Sequence, residues 1–84
     1  MNVLFTENAC EDYLYWQKMD KKTVKRINEL IKDIKRSPFE GMGKPEGLKY
    51  DLAGKWSRRI TEEHRLVYQV EGGNLIIYTC KYHY

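Results

Sequence analysis

The apolar positions change their period once along the chain, across the irregular segment 38–47. Before it, Ala9, Tyr13 and Trp16, with Cys10, Leu14 and Gln17 beside them, follow a helical period. Val24, Ile27, Leu30, Ile31 and Ile34 then form a single stripe on a second helix. Thr6 is placed to cap the first helix and Asp20 the second. Glu7, Glu11 and Asp12 fall in the first turns, where the positive helix end favours acids, and Lys32, Lys35 and Arg36 complement the far end of the second helix. Ser37-Pro38 stops that helix. Joined at Asp20, the two helices make an αα-hairpin. The run Asn2-Val3-Leu4-Phe5 ahead of Thr6 reads as a strand leading into it.

Segment 38–47 contains Pro38, Gly41, Gly43, Pro45 and Gly47 and reads as a surface loop. Beyond it the period becomes two, and segments 48–52, 55–61, 64–70 and 75–84 read as strands. Glu62-Glu63 and Gly72-Gly73-Asn74 are their turns, the second being the stronger signal. A strand, a two-helix hairpin and an antiparallel meander predict one α+β domain over residues 1–84, with the helices packed on one face of the sheet. Register decides what that sheet displays. Strict two-residue turns set Arg65 opposite Cys80 and send His83 to the other face. A bulge in each hairpin brings Arg59, Arg65, Lys81 and His83 to one face, with Leu66, Tyr68, Val70, Ile76, Tyr78 and Cys80 toward the core. The bulged register is the favoured reading.

Charge sharpens this picture. The 84 residues carry a formal +3, but residues 1–20 have a net −3 and the remainder a net +6. Lys44, Lys49, Lys55, Arg58, Arg59, Arg65 and Lys81 all fall in the loop or the sheet. A basic open sheet with tyrosines interleaved suits single-stranded RNA better than a duplex groove. No apolar run approaches the roughly 18 residues that span a bilayer, and Met1 to Glu7 has no basic or apolar leader pattern. The expectation is a cytoplasmic protein with no membrane partner, whose two cysteines, Cys10 and Cys80, stay reduced.

Among side chains able to do chemistry, His83 suits the protonation of a leaving oxygen. Glu46, between Pro45 and Gly47 at the end of the loop, could take the proton of a ribose 2′-hydroxyl. Arg65, with Arg59 or Lys49, could hold the charge that builds on the phosphorus oxygens. His64, beside Glu62 and Glu63, reads as an exposed turn residue. Cys80-x-x-His83 faces opposite ways on a strand and has no second pair, so no metal site is expected. Gly41-x-Gly43-Lys44 lacks the frame of a phosphate-binding loop, Cys10 has no basic activator nearby in sequence, and no cofactor is expected.

Several segments, taken together, closely resemble one family. Gly43-Lys44-Pro45-Glu46, Leu48-Lys49, Trp56-Ser57-Arg58-Arg59-Ile60, Glu63-His64-Arg65-Leu66-Val67-Tyr68 and Tyr82-His83-Tyr84 resemble the YoeB/Txe toxins of the RelE/ParE superfamily of bacterial toxin–antitoxin systems. Asp12 to Gln17 and Ile27 to Asp33 extend the likeness over the whole chain. The resemblance implies a microbial-ribonuclease-like (RelE-like) fold and an endoribonuclease that cuts mRNA in the ribosomal A site. It implies restraint by a partly disordered antitoxin of YefM or Axe type, repression of the operon by the toxin–antitoxin complex at operator DNA, and a homodimer. Residue by residue, it implies Glu46 as general base, Arg65 on the phosphate, His83 as general acid and Tyr84 orienting a substrate base. Lys44, Lys49, Arg58, Arg59 and Lys81 are expected to contact substrate. Lys81 stands where arginine is common in the family, Tyr50 where histidine is common and Gly47 where proline is common. Two alternatives stay open: an inhibitor that binds without cutting, and a non-catalytic RNA-binding module.

Overall fold

The computed structural model describes residues 1–82. Its elements are β1 (Asn2–Phe5), α1 (Glu7–Met19), α2 (Lys21–Arg36), β2 (Glu46–Gly47), β3 (Trp56–Arg59), β4 (Arg65–Glu71) and β5 (Asn74–Thr79), with a short 3₁₀ turn at Tyr50–Leu52. The sheet order is β1-β5-β4-β3-β2, antiparallel except for β1, which runs parallel to β5 at one edge.

The caps form where the sequence places them. The Thr6 hydroxyl accepts the Ala9 N–H at 3.1 Å and donates to the Tyr78 carbonyl at 3.0 Å, tying the start of α1 to β5. Asp20 serves both helices. Its N–H closes α1 on the Trp16 carbonyl, while its carboxylate accepts the Lys22 N–H and the Thr23 hydroxyl and opens α2. Those donors, the Thr23 hydroxyl first, hold its carboxyl below the usual aspartate value. A single residue therefore makes the helix–helix corner.

The α2 stripe packs as its spacing requires: Ile27, Leu30 and Ile34 are fully buried against Leu66, Tyr68, Leu75 and Ile77, with Ala9, Trp16 and Cys80 completing the core. Each such aliphatic side chain contributes about 1.5–3 kcal/mol relative to exposure. Both helices lie on one face of the sheet, and the other face is left without a helix.

Two sequence expectations are corrected. Segment 48–52 is not a strand. Tyr50 adopts φ 56° and is 91% exposed, and the chain turns over residues 50–55 through Ala53 N–H to Tyr50 O and Lys55 N–H to Leu52 O. The turn residues Asp51 and Gly54 outweigh the Leu48/Tyr50/Leu52 alternation, and the ladder forms one step earlier, at Glu46↔Ser57 and Gly47↔Trp56. The bulge of the last hairpin is also placed differently. Pairing is strict from Glu71↔Asn74, across a Gly72-Gly73 turn with both φ positive, to Tyr68↔Ile77, and then Val67 pairs with Thr79. The extra residue is thus Tyr78, in mid-ladder. Leu75 and Ile77 take the core positions expected of Ile76 and Tyr78, and Cys80 returns to the core after the bulge. The cause lies in α1. The Asp12 carboxylate accepts the Cys80 N–H at 3.0 Å and the Thr79 hydroxyl at 2.9 Å, and Trp16 Nε1 donates to the Cys80 carbonyl at 2.8 Å.

Candidate active site on the helix-free face

Opposite residues in an antiparallel pair share a face, as do residues two apart along a strand. Glu46, Ser57 and Val67 stand in one row across β2, β3 and β4, and Arg59 stands opposite Arg65 one step further along the same face. Ser57 and Val67 are buried although they face away from the helices, whereas Glu46 and Arg59 are exposed. A small, closed floor thus runs between an acidic edge and a pair of arginines. Two strand spacings and two residues along the chain separate Glu46 from Arg65, roughly 12 Å between Cα atoms. Lys55 and Tyr78 extend this face, with Lys55 Nζ 4.7 Å from the Tyr78 ring centre and the Tyr78 hydroxyl donating to Gln69 at 3.0 Å.

Glu46 borders a depression of about 400 Å³ whose other walls include Lys49, Tyr50 and Leu52. Lys44, with φ 50°, and Lys49 are exposed on the loop segments flanking it. Arg65 is partly buried. Its Nη1 donates to the carbonyls of Thr61, Glu62 and His64 at 2.8, 3.0 and 3.2 Å, bracing the β3–β4 turn. Its side-chain hydrogen bonds to described residues go through Nη1.

Arg58 departs from expectation. It faces the helices, is fully buried, and makes no part of the exposed face. Its Nη1 donates to Asp33 Oδ2 at 2.6 Å and to the Met42 carbonyl at 3.0 Å. Its Nη2 donates to the carbonyls of Ser37 and Glu40 at 2.7 and 2.9 Å, and its Nε to the Tyr68 hydroxyl at 3.2 Å. A guanidinium can be buried only with such full pairing. The Asp33 carboxyl is held at about 2 by hydrogen bonds from Arg36, the Met42 N–H and Arg58. Gly41, at φ 120°, passes so close that a Cβ would collide with Asp33 Oδ2. Arg58 is therefore the hub on which segment 37–43, leading toward Glu46, is fixed.

Lys81 is also placed differently. Its ammonium lies 3.8 Å from the Tyr15 ring centre of α1 and 5.2 Å from that of Tyr82. His64 is not an exposed turn residue. It is half-buried, edge-on to Trp16 at 4.7 Å, and its Nδ1 accepts the Tyr82 N–H at 2.7 Å. The sequence offers no local signal for that contact, because its partners lie 48 and 18 positions away. His83 and Tyr84 lie outside the described residues.

Comparison with known proteins defines the class first. A structure from Agrobacterium tumefaciens described as a YoeB/ParE toxin superposes with TM-score 0.98 at 50% identity, covering 100% of both chains, so the fold is that of a RelE/YoeB-type toxin. A YoeB from Staphylococcus aureus, solved as a dimer, superposes with TM-score 0.94 at 55% identity, covering 100% of this chain and 98% of that one. A YoeB–YefM complex from Staphylococcus aureus gives 0.93 at 54%, covering 100% of this chain and 98% of that one. Toxin YoeB of Escherichia coli K12 is 62% identical over 84 residues, the full length of both chains. The model of the YoeB-like toxins of bacterial type II toxin–antitoxin systems matches residues 5–84, and the chain belongs to that family.

Proposed function

We propose that this chain is a ribosome-dependent endoribonuclease that cuts mRNA in the A site and thereby stops translation. The observation that carries the reading is the row on the helix-free face, with the Glu46 carboxylate at one edge and Arg59 and Arg65 facing each other beyond a closed floor. Glu46 takes the proton of the 2′-hydroxyl, and O2′ attacks the adjacent phosphorus. The P–O5′ bond breaks, and His83 gives its proton to the departing 5′-oxygen. The products carry a 2′,3′-cyclic phosphate, or the 3′-phosphate from its hydrolysis, and a 5′-hydroxyl. Arg65 offers its guanidinium to the oxygens on which charge builds. Tyr84 orients a substrate base, and Lys44, Lys49 and Arg59 hold flanking phosphates, with Lys81 adding charge near the end of the chain. DNA is spared because it lacks the nucleophile. A domain of 84 residues offers few base contacts, and the ribosome supplies the alignment of the mRNA that the protein lacks.

The partner that restrains it is an antitoxin of the YefM type, by likeness to the Staphylococcus aureus complex. We place operator binding with the toxin–antitoxin complex, expect a homodimer of the free toxin by likeness to the Staphylococcus aureus dimer, and place the activity in the cytoplasm. Primer extension on a defined mRNA, with and without initiated ribosomes, tests the reading. A new 5′ end at the A-site codon is expected with ribosomes and wild type, and none with His83→Ala. Arrested translation without a new end would contradict it and favour a non-cleaving inhibitor.

A further inference from the structure

The ladder of β5 stops at Thr79, yet the chain beyond it is held at every residue up to Tyr82. Asp12 and Trp16 take the N–H and carbonyl of Cys80. Lys81 lies over Tyr15, its ammonium 3.8 Å from that ring centre. Tyr82 is then gripped on both sides of its backbone: its N–H donates to His64 Nδ1 at 2.7 Å, and its carbonyl accepts the Arg65 N–H at 3.1 Å. Tyr82 has φ 61°, a left-handed conformation that costs a non-glycine residue energy and persists only where neighbours impose it. The grip of His64 is specific in its chemistry. A backbone N–H can only donate, so His64 Nδ1 carries no proton and acts as an acceptor. The ring has little freedom to leave, since it stands edge-on to Trp16 at 4.7 Å and lies 5.2 Å from the Tyr82 ring. Trp16 is buried and itself tied to Cys80. Helix α1, the β3–β4 turn and Tyr82 thus meet at one imidazole.

We propose that His64 is a positioning residue: by accepting the Tyr82 N–H it fixes the backbone from which His83 and Tyr84 continue. The proposal rests on the nuclease reading above, in which those two residues act on RNA. Nothing assigns His64 to the reacting atoms, and its effect passes through Tyr82. A misplacement of about 1 Å in a catalytic group can cost on the order of 100-fold in rate, so a lost acceptor at this point should be felt in kcat and not in the docking of the protein on the ribosome.

Two substitutions separate the acceptor from the ring. His64→Phe keeps an aromatic ring against Trp16 but leaves the Tyr82 N–H without a partner. His64→Asn loses the ring but sets Oδ1 where Nδ1 stood. On mRNA-loaded ribosomes, His64→Phe should lower kcat by about 10- to 100-fold, with the KM for ribosomes within about twofold, and His64→Asn should recover most of the rate. The amide hydrogen of Tyr82 should exchange slowly in wild type and in His64→Asn, and fast in His64→Phe. Wild-type cleavage by His64→Phe, or equal losses in both variants, would overturn the proposal, as would an unprotected Tyr82 amide in the wild type. If the wild type leaves mRNA intact, the nuclease reading fails and the catalytic role of the clamp falls with it. Tyr82 exchange still reads the His64 contact independently in that case.

Discussion

Arg58 and Arg59 are neighbours in sequence and opposites in role. Arg58 turns toward the helices and makes five hydrogen bonds with no exposure to solvent. Arg59 turns the other way, is exposed, and stands opposite Arg65. Strand geometry alone separates them, since successive side chains point to opposite faces. The comparison teaches that a basic sheet is not a basic surface. One of its arginines builds the scaffold that leads to Glu46, and the next belongs to the face that scaffold holds in place.

The largest expected effect comes from exchanging these roles. Arg58→Met removes the buried guanidinium that holds Asp33, the Tyr68 hydroxyl and three loop carbonyls, and urea denaturation should show a loss of about 3–5 kcal/mol, the usual cost of breaking a buried ion pair. Arg59→Met should change stability by less than about 0.5 kcal/mol. Its mark should be weaker RNA association, with the salt dependence of log K reduced by about one unit of slope. Similar stability losses in both variants would break the comparison.

A smaller effect follows at Gly41. Alanine there meets both a φ of 120° and the Asp33 carboxylate, so Gly41→Ala should destabilise by more than about 1 kcal/mol through the same hub. Gly72→Ala, with φ 57° but open space around it, should cost less in the same denaturation assay.

The hub should also be visible in acid. The Asp33 carboxyl lies at about 2 in the folded protein, against an ordinary value of 3.8. A depressed folded value means that its contribution is fully present above the ordinary value and is lost as pH falls from there through about 2. Urea midpoints of the wild type should therefore fall across that window, and those of Asp33→Asn should fall less.

The smallest effect contrasts the two thiols. Burial first, and the Asp12 carboxylate second, push Cys80 up to about 12, while Cys10 is exposed. Iodoacetamide at neutral pH should add one group to the native protein, at Cys10, and two after unfolding. Two adducts on the native protein would show that the end of β5 opens readily.

Much of this architecture is legible in the sequence because it is local. The α2 stripe, the Thr6 and Asp20 caps and the Gly72-Gly73 turn all rest on residues within a few positions of one another. Tyr50 reads as strand because alternating apolar residues outnumber a turn signal spread over Asp51 and Gly54. The bulge at Tyr78 was hidden for a different reason, since Asp12 and Trp16 impose it from more than 60 positions away. Arg58 follows the same rule, as its partners lie in α2 and in the loop after it. Glu46 and Arg65 stand out by residue type and family likeness, and β2 and β4 bring them to one face. The role of His64 is not legible in the sequence, because a histidine beside two glutamates looks like any turn.

Acid–base cleavage at the face that carries Glu46 and Arg65 is tested most directly by the chemistry of the new RNA end. RNA cut on the ribosome by wild type should accept labelled phosphate from polynucleotide kinase without prior phosphatase treatment, because its downstream fragment begins with a 5′-hydroxyl. A downstream fragment that begins with a 5′-phosphate, and takes up label only after phosphatase, would contradict the roles given to Glu46 and His83.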